Sequence, residues 1–340
     1  MKILIIGHLG YVGPVLIKQL QKTKYELIGI DTGYFLNKKL KNKYDNLIKT
    51  IIKDVRTVNK NDLDDIDCVI YLSAISNDPM GNQFKKITKT INYSTSLKIA
   101  KLAKKVGVKK FIFASSCSMY GFTKNLLKSE RSNLNPLTAY AKSKVRAEKD
   151  LKKISNSKFK VICLRFATAC GYSDNIRLDL VLNDFVASAI TSKKITVLSD
   201  GSPWRPLIHV QDMARAINWA IEAKVKNFLA VNTGSNRMNF QIKDLANRVG
   251  SLIKGTKVSI NSKALPDKRS YKVNFSKFES LNKKLRPIFN LDRSIRDLHN
   301  NLLKNNFKVI NFRDSNYIRL NVLKDLIKSK KLNKDLRWIS

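Results

Sequence analysis

The chain has 340 residues, 43% of them hydrophobic, and its 65 Lys and Arg against 26 Asp and Glu give a net charge of +39. That length and hydrophobic content predict a globular protein of one large domain or two modest ones. Three histidines, four cysteines without a CxxC pair and no apolar run near 18 residues argue against a metal site and a membrane span. Because the first residues already form a strand, we expect no signal peptide and a cytoplasmic protein.

The first predicted element is an apolar, β-branched run at residues 2–6, followed by a glycine turn and a helical pattern. Strand, glycine turn and helix in this order are the context of a dinucleotide-binding fingerprint. The N–H groups and the positive dipole end of such a helix face the pyrophosphate of the dinucleotide. We therefore predict a dinucleotide site that is contacted by Gly7, Gly10, Tyr11, Val12 and Gly13.

A second predicted strand, at 26–30, is followed by Asp31, which lies 21 residues after Gly10. A carboxylate at this position accepts hydrogen bonds from the adenosine ribose hydroxyls and repels a 2′-phosphate. The pattern therefore favours NAD over NADP as the cofactor.

Further apolar runs alternate with helical stretches, a pattern typical of a Rossmann-type doubly wound parallel sheet in an α/β protein. The predicted strands are 48–53, 68–72, 110–115 and 159–165, and the predicted helices are 90–106, 179–192 and 212–223. We expect residues 1–171 to form an NAD-binding domain to which the chain returns around 207–233. Residues 172–304 are then mainly a smaller substrate-binding lobe, and 305–340 a basic helical tail packed on the surface.

Tyr140 and Lys144 are four residues apart in a predicted helix, so their side chains fall on one face. A neighbouring ammonium favours the phenolate of a tyrosine, which is otherwise a poor base at neutral pH. The same lysine can hold the nicotinamide ribose. Just before this helix, the fifth strand ends in the hydroxyl-rich run 115–118, where ligands of parallel sheets bind. A hydroxyl there can donate to a substrate oxygen.

Taken together, GxxGxxG, the acidic residue after the second strand, Ser-Ser-x-Ser-x-Tyr-Gly and YxxxK resemble the extended short-chain dehydrogenase/reductase family over roughly residues 1–300. The resemblance is to its NAD-dependent nucleotide-sugar epimerases and dehydratases in particular. It implies that Ser116 is catalytic with Tyr140 and Lys144, and Ser115 is the near alternative. It also implies cofactor contacts at Asp54, Val55, Leu72, Ser73, Ala74 and Asn92, besides Tyr140 and Lys144.

The segment from Asp200 to Asp212 resembles the family segment in which an arginine binds the phosphates of the sugar nucleotide. Arg205 takes that place, and Arg269 is a second candidate, since a planar guanidinium suits phosphate. Ser116, Ser118, Tyr140 and Asn77 are the further substrate contacts that we expect, although Asn77 could instead cap a turn.

The reaction is predicted from departures from the family pattern. Family 4,6-dehydratases carry Asp-Glu directly after the catalytic Thr, and this chain has Cys117 and Ser118 there. Without that acid and base, a C4 epimerase acting through a transient 4-keto sugar is favoured, with a 4-keto reductase or a 4,6-dehydratase as alternatives. Cys117 could also serve as the acid/base of a C3/C5 epimerisation. Thr168 replaces a common family asparagine and leaves the nearby substrate contacts open.

The large positive charge suggests other partners, of which an RNA bound by a non-catalytic Rossmann protein is the main one. Lysines are spread over every segment, however, and no patch interleaves arginine with aromatic residues as nucleic-acid readers do. We interpret the charge as solvated faces and do not expect a nucleic-acid partner. Reduction of a non-sugar carbonyl compound is a third hypothesis, and the resemblance also implies a homodimer.

Overall fold

The fold is built on a parallel sheet, seen in a computed structural model that describes residues 1–36, 43–265, 267, 269–281 and 286–339, without the side chains of 124–126. The strands are β1 (Lys2–Ile6), β2 (Glu26–Asp31), β3 (Lys49–Ile52), β4 (Cys68–Tyr71), β5 (Lys110–Ser116), β6 (Phe122–Lys128), β7 (Lys160–Phe166), β8 (Thr168–Cys170), β9 (Lys194–Val197), β10 (Trp204–His209), β11 (Phe228–Thr233), β12 (Asn239–Gln241), β13 (Lys257–Ile260) and β14 (Ser270–Val273). Seven of them pair in the order β11-β7-β5-β4-β1-β2-β3.

This sheet confirms the predicted fold class. Each of the six predicted strands is found within one residue of its expected bounds. The order reverses between β1 and β4, which pair in parallel from Ile3 opposite Cys68 to Ile6 opposite Tyr71. In open parallel sheets, such a switch point at the carboxyl ends of the strands is where ligands bind.

Helices cover both faces of the sheet. They are α1 (Gly13–Leu20), α2 (Asp78–Gln83), α3 (Lys85–Lys89), α4 (Ser96–Lys105), α5 (Ala139–Ile154), α6 (Val181–Thr191), α7 (Val210–Glu222), α8 (Ile242–Leu252), α9 (Ser276–Leu281), α10 (Leu291–Lys304) and α11 (Arg319–Lys328). The buried side chains of α1 and α7 share one core with the sheet, and those of α4 and α5 share the core on the opposite face. The predicted helix 90–106 is confirmed, with a π-helical turn over Thr90–Thr95 before α4.

A second layer of structure follows β8. The helices α6, α8 and α10 enclose a separate apolar core together with the parallel pair β9 and β13. The chain returns to the main sheet as β11, whereas β10 pairs with β8 and β12 outside it. The division into an NAD-binding and a substrate-binding part stays a prediction.

The tail differs from the expected helix over 305–340. Within the described residues of this stretch, the helical segments are a short 3₁₀ turn, Phe312–Asp314, and α11, Arg319–Lys328. Positive φ angles at Lys330 and Leu336 then turn the chain back, so that Leu332 and Trp338 form an antiparallel bridge. Leu323, Leu332 and Leu336 are buried in the core beside α4 and α5, so the tail is part of the packed structure.

The structure also bears on the expectations about membrane spans, metal sites, cysteines and a homodimer. In the described part of the chain, no helix has the length and apolar character needed to cross a membrane, and no three His, Cys, Asp or Glu side chains gather around a metal position. The four cysteines are free and buried. Lys142, Arg146 and Lys149 are exposed on α5, and the homodimer stays a prediction.

A buried ion pair fixes α5 to the sheet. The Arg165 guanidinium on β7 donates through Nε and Nη2 to both oxygens of Glu148, at 2.8–3.1 Å, and through Nη1 to the hydroxyl of Tyr120 at 3.1 Å. Arg165 and Glu148 are only 7% and 5% exposed. Because neither charge is well solvated, each depends on the other.

Removing one partner is therefore expected to destabilise the fold strongly. Glu148→Gln leaves the guanidinium buried without an anion, and we expect the free energy of unfolding to fall by about 3–5 kcal/mol in urea titrations followed by circular dichroism. The double variant Glu148→Leu with Arg165→Met should recover most of that loss.

The exposed pair of Arg248 and Asp292 provides the control. Asp292→Asn is expected to cost about 1 kcal/mol or less, because exposed ion pairs are screened by solvent. A loss from Glu148→Gln no larger than that of the control would contradict the prediction.

Candidate active site

A cavity of about 930 Å³ lies along the carboxyl edge of the sheet. Its wall combines the glycine turn after β1, the ends of β2, β4 and β5, the start of α5, and parts of the second layer and of the tail. Of the predicted site residues, the cavity brings together Gly7, Gly10, Tyr11, Val12, Asp31, Leu72, Ser73, Ala74, Asn77, Ser116, Ser118, Tyr140, Lys144, Arg205 and Arg269.

The glycine turn is close-packed in the way the sequence predicts. Gly7 has φ +92°, and a Cβ there would lie 2.6 Å from the Ser73 nitrogen on the neighbouring strand end. A Cβ on Gly13 would lie 1.8 Å from the His8 carbonyl oxygen. Helix α1 then begins without a side chain capping its first N–H groups. The N–H groups of Gly13 and Val15 and the helix dipole are free to bind an anion, whereas Pro14 between them has no N–H.

Asp31 is held at the end of β2 by the backbone. One carboxylate oxygen accepts from the Leu9 N–H at 3.0 Å and the other from the Gly33 N–H at 2.8 Å. A carboxylate oxygen accepts more than one hydrogen bond, so each keeps the capacity to bind a hydroxyl in the cavity.

Four predicted cofactor contacts lie behind the cavity wall, since Gly13, Asp54, Val55 and Asn92 are absent from its lining. Asp54 caps a short 3₁₀ turn and pairs with Arg56 at 2.6 Å. Asn92 accepts from the Ile75 N–H at 2.9 Å and donates to Ser143 on α5 at 3.2 Å. In the protein alone, Asn92 therefore positions the loop after β4 against the helix of Tyr140.

The Tyr and Lys pair has the helical geometry expected from its spacing. Thr138 caps α5 by accepting from the Ala141 N–H at 3.2 Å, which places Tyr140 in the first turn. The Lys144 Nζ donates to the Ala114 carbonyl at 2.6 Å and lies 5.7 Å from the centre of the Tyr140 ring. Both side chains line the cavity, so Tyr140 and Lys144 lie beside the carboxyl end of β5.

Burial works against the charged forms of this pair. It lowers the pKa of Lys144, which is 2% exposed, to about 7. It also raises the pKa of Tyr140 to about 12, against the opposite effect of the Ser116 hydroxyl. In the protein alone, Tyr140 is thus a neutral phenol at neutral pH, and the phenolate needs additional positive charge nearby.

Ser116 ends β5 and caps the turn that follows. Its Oγ accepts from the Ser118 N–H at 3.1 Å and donates to the Ser118 Oγ at 2.9 Å. The alternative, Ser115, is 3% exposed and its Oγ has no hydrogen-bond partner among the described residues. Cys117 is fully buried off the cavity, its Sγ donates to the Arg165 carbonyl at 3.0 Å, and burial raises its thiol pKa well above the usual value. This position excludes the acid/base role considered for Cys117.

The two predicted phosphate ligands converge on one carboxylate. Arg205 donates to Asp267 at 3.2 Å, and Arg269 donates to the same Asp267 and, at 2.6 Å, to Asp78. The side chain of Arg205 is 11% exposed and that of Arg269 is 41% exposed. Two guanidinium groups on one cavity wall form a site for an anion with more than one charged oxygen.

Sequence reasoning missed a second buried ion pair on the wall. The Arg177 guanidinium donates to Asp179 at 2.9 Å and to the Ser76 hydroxyl at 3.0 Å, and Asn77 donates to Asp179 at 2.6 Å. Two charges within the otherwise apolar run 176–182 were the available signal. Arg319, which also lines the cavity, comes from the tail and has no local signal that separates it from the other cations.

The depressed pKa of Lys144 predicts a pH dependence of stability. The unfolded chain keeps the lysine proton up to about its usual pKa of 10.5, whereas the folded protein releases it near 7. Stability therefore rises with pH between these values, by up to about 1.4 kcal/mol per pH unit from this group. We expect Lys144→Met to lose this slope in unfolding measurements between about pH 7 and pH 8.5, below the ionisation of thiols and phenols.

Lys149→Met, which removes an exposed lysine from the same helix, is the matched control and should keep the slope of the unmodified protein. Parallel stability curves for Lys144→Met and the unmodified protein would refute the prediction.

Comparison with known proteins identifies relatives of this chain. A family model described as the NAD dependent epimerase/dehydratase family matches residues 3–234. An uncharacterized UDP-glucose epimerase of Bacillus subtilis, YtcB, is 29% identical over 230 residues, which are 64% of this chain and 71% of that protein. A UDP-glucose 4-epimerase of Lactobacillus helveticus is 26% identical over 271 residues, covering 73% of this chain and 82% of that enzyme.

Solved structures share the fold. A UDP-glucuronic acid 4-epimerase from Bacillus cereus, in complex with UDP-glucuronic acid and NAD, has a TM-score of 0.74 at 23% identity and covers 89% of this chain and 99% of its own. TunA, an NAD-dependent NDP-hexosamine 5,6-dehydratase, has a TM-score of 0.79 at 20% identity, covering 91% and 99%. With the sequence match over most of the Rossmann region, the chain belongs to the NAD-dependent epimerase/dehydratase family of extended short-chain dehydrogenases/reductases.

Proposed function

We propose that this enzyme is an NAD-dependent nucleotide-sugar epimerase that inverts the configuration at C4. The observation that carries the proposal is that one cavity is lined by three groups of residues. They are Ser116, Tyr140 and Lys144, the glycine turn after β1, and the two arginines that pair with Asp267. Such a site combines a place for a dinucleotide, an acid/base and an anion site for a second nucleotide.

The residues present fit NAD. A Cβ at position 7 would clash with Ser73, so only glycine fits where the turn approaches the neighbouring strand end. The N-terminus of α1, which no side chain caps, suits a diphosphate. Gly7, Gly10, Tyr11 and Val12 would hold the diphosphate and Asp31 the adenosine ribose. Leu72, Ser73 and Ala74 would line the space beside the nicotinamide. NAD, when bound, supplies reversible hydride acceptance and a positively charged ring.

The chain's own residues would then move one proton. Tyr140 takes the proton of the C4 hydroxyl as that carbon becomes a ketone, and it returns the proton when the alcohol re-forms on the other face. Ser116 donates to the C4 oxygen, and Lys144 holds the nicotinamide ribose and stabilises the phenolate. In the protein alone the Ser116 hydroxyl donates its proton to the Ser118 Oγ at 2.9 Å, so this hydroxyl would turn from Ser118 to the C4 oxygen when the substrate enters.

The carboxylates of the cavity favour exchange at one carbon over elimination of water. Asp78 is engaged by Arg269 at 2.6 Å, and Asp179 by Arg177 and Asn77. Cys117 lies off the cavity, and Ser118 is a weak acid. A 4,6-dehydratase needs a free acid and base near the sugar, so the pairing of these carboxylates supports the epimerase over a 4,6-dehydratase and leaves a 4-keto reductase as the alternative.

The nucleotide end of the substrate would lie at Arg205 and Arg269, with the sugar near Ser116, Ser118 and Asn77. A diphosphate provides the charge and the bidentate geometry that these guanidinium groups bind. Asp267 keeps the two like charges together in the protein alone.

The reaction is tested by incubating the purified protein and NAD with a panel of UDP-, dTDP- and GDP-sugars, followed by mass spectrometry and proton NMR. We expect a product of unchanged mass with altered coupling of the C4 proton. Tyr140→Phe should lower kcat by at least about 100-fold and leave NAD binding intact, because it removes only the acid/base hydroxyl.

Other products of the panel would overturn the proposal. Loss of about 18 mass units marks dehydration, and a gain of about two mass units when a 4-keto nucleotide sugar and NADH are supplied marks a 4-keto reductase. Full activity of Tyr140→Phe would remove the tyrosine from the chemistry.

The substrate site is tested through free UDP, which carries the diphosphate without the sugar. Arg205→Lys keeps the charge and loses the planar fork, so we expect the Kd for UDP to rise about tenfold in calorimetry and the Kd for NAD to stay the same. Arg237→Lys, on an exposed arginine outside the cavity, is the control. An unchanged UDP affinity of Arg205→Lys would refute the assignment.

A further inference from the structure

Arg319, the first residue of α11, carries a buried cation into the cavity. It is 4% exposed, its guanidinium carbon lies 4.0 Å from the centre of the Phe35 ring, and it is part of the cavity wall. Of the cations that line the cavity, Arg177, Arg205, Arg269 and Arg313 each pair with an aspartate.

Arg319 has no such partner. Within the described ranges, no carboxylate oxygen lies within 4.0 Å of its guanidinium, and its hydrogen bond is a long one of 3.4 Å to the Asn175 carbonyl. Burial, with a contribution from the nearby charge of Arg177, lowers the pKa of Arg319 to about 9, against the opposite effect of the Asp179 and Asp31 carboxylates. These carboxylates offset the burial only in part, so an anion in contact with the guanidinium would stabilise its charged form.

The neighbours of Arg319 place it at the glycine turn. The Asn175 side chain, whose backbone carbonyl receives the Arg319 hydrogen bond, donates to the Leu9 carbonyl in the turn and to the Phe35 carbonyl. Leu9 in turn donates to Asp31 at 3.0 Å. One short chain of hydrogen bonds therefore joins the guanidinium to the loop that opens helix α1.

We propose that Arg319 binds the diphosphate of the dinucleotide, opposite the N–H groups at the start of α1. The inference rests on the assignment of the glycine turn to the cofactor and is independent of the reaction at C4. A diphosphate carries negative charge at both phosphates, so the helix N-terminus and one guanidinium are complementary to it. The tail, beyond the 3–234 region of the family match, would thus complete the cofactor site.

Contacts of the C-terminal tail hold Arg319 in position before the dinucleotide binds. Arg56 donates to the Asp335 carbonyl at 2.6 Å, and the Trp338 indole N–H donates to the Thr32 carbonyl at 2.7 Å, next to Asp31. With Leu323 fully buried, α11 has little freedom to turn the guanidinium away. A ligand group held ready in this way loses less conformational entropy on binding.

The test compares Arg319→Met, which keeps much of the apolar stem, with Lys324→Met, which removes an exposed charge from the same helix. Calorimetry on nucleotide-free protein measures the Kd for NAD, ADP and adenosine. We expect Arg319→Met to weaken NAD and ADP by about 10- to 100-fold and to leave adenosine unchanged, because only the first two carry a diphosphate. Lys324→Met should bind all three as the unmodified protein does.

Thermal unfolding separates binding from packing. Without nucleotide, Arg319→Met is expected to unfold at a temperature similar to that of the unmodified protein, because the lost contact with Phe35 and the removal of a buried charge act in opposite directions, while the rise in Tm on adding NAD shrinks. Unchanged ADP affinity or an equal loss for adenosine would each overturn the proposal. If the unmodified protein itself fails to bind NAD, the assignment of the glycine turn fails instead.

Discussion

The buried pair of Arg165 and Glu148 is the contact on which the site geometry depends. Glu148 lies one helical turn after Lys144 on α5, and Arg165 lies on β7 beside the strand that ends at Ser116. The same guanidinium donates to the Tyr120 hydroxyl, at the end of the turn that Ser116 caps. One group therefore fixes both the helix of Tyr140 and Lys144 and the turn that follows Ser116, without facing the cavity itself.

The second constraint is close backbone packing at the switch point of the sheet. Gly7 leaves β1 with a positive φ, and the Ser73 backbone occupies the space that a Cβ would need, so the ends of the parallel strands β1 and β4 pack closely at one edge. Helix α1 then points its uncapped N-terminus at that edge. Because the strands are parallel, the ends of β2 and β5 lie at the same edge, and residues far apart in sequence line one cavity.

These two constraints explain what the sequence could predict. The strands and the Tyr140–Lys144 pair follow from local periodicity and spacing, and they were found where expected. The expectation for Asp54 came from resemblance alone, whereas the structure shows that Arg56, two residues later, occupies its carboxylate. The sequence did not predict that Arg177 and Arg319 line the cavity, because their positions depend on contacts with residues more than 100 positions away, such as Ser76 and Phe35. Periodicity within one segment contains no information about such contacts.

Burial and ion pairing decide which of the charged side chains can bind a ligand, because the net charge alone does not specify one. Most of the 65 basic side chains can be screened by solvent, and the arginines of the cavity wall are matched to aspartates one by one. Asp267, shared by Arg205 and Arg269, keeps two like charges together, and Asp78 gives Arg269 a second carboxylate. Arg319 forms no ion pair with a described residue, and its buried cation lies beside the glycine turn. The cavity wall thus carries guanidinium groups in two places, at Asp267 and at the glycine turn, and each can bind an anionic group, as a dinucleotide and a nucleotide sugar together require.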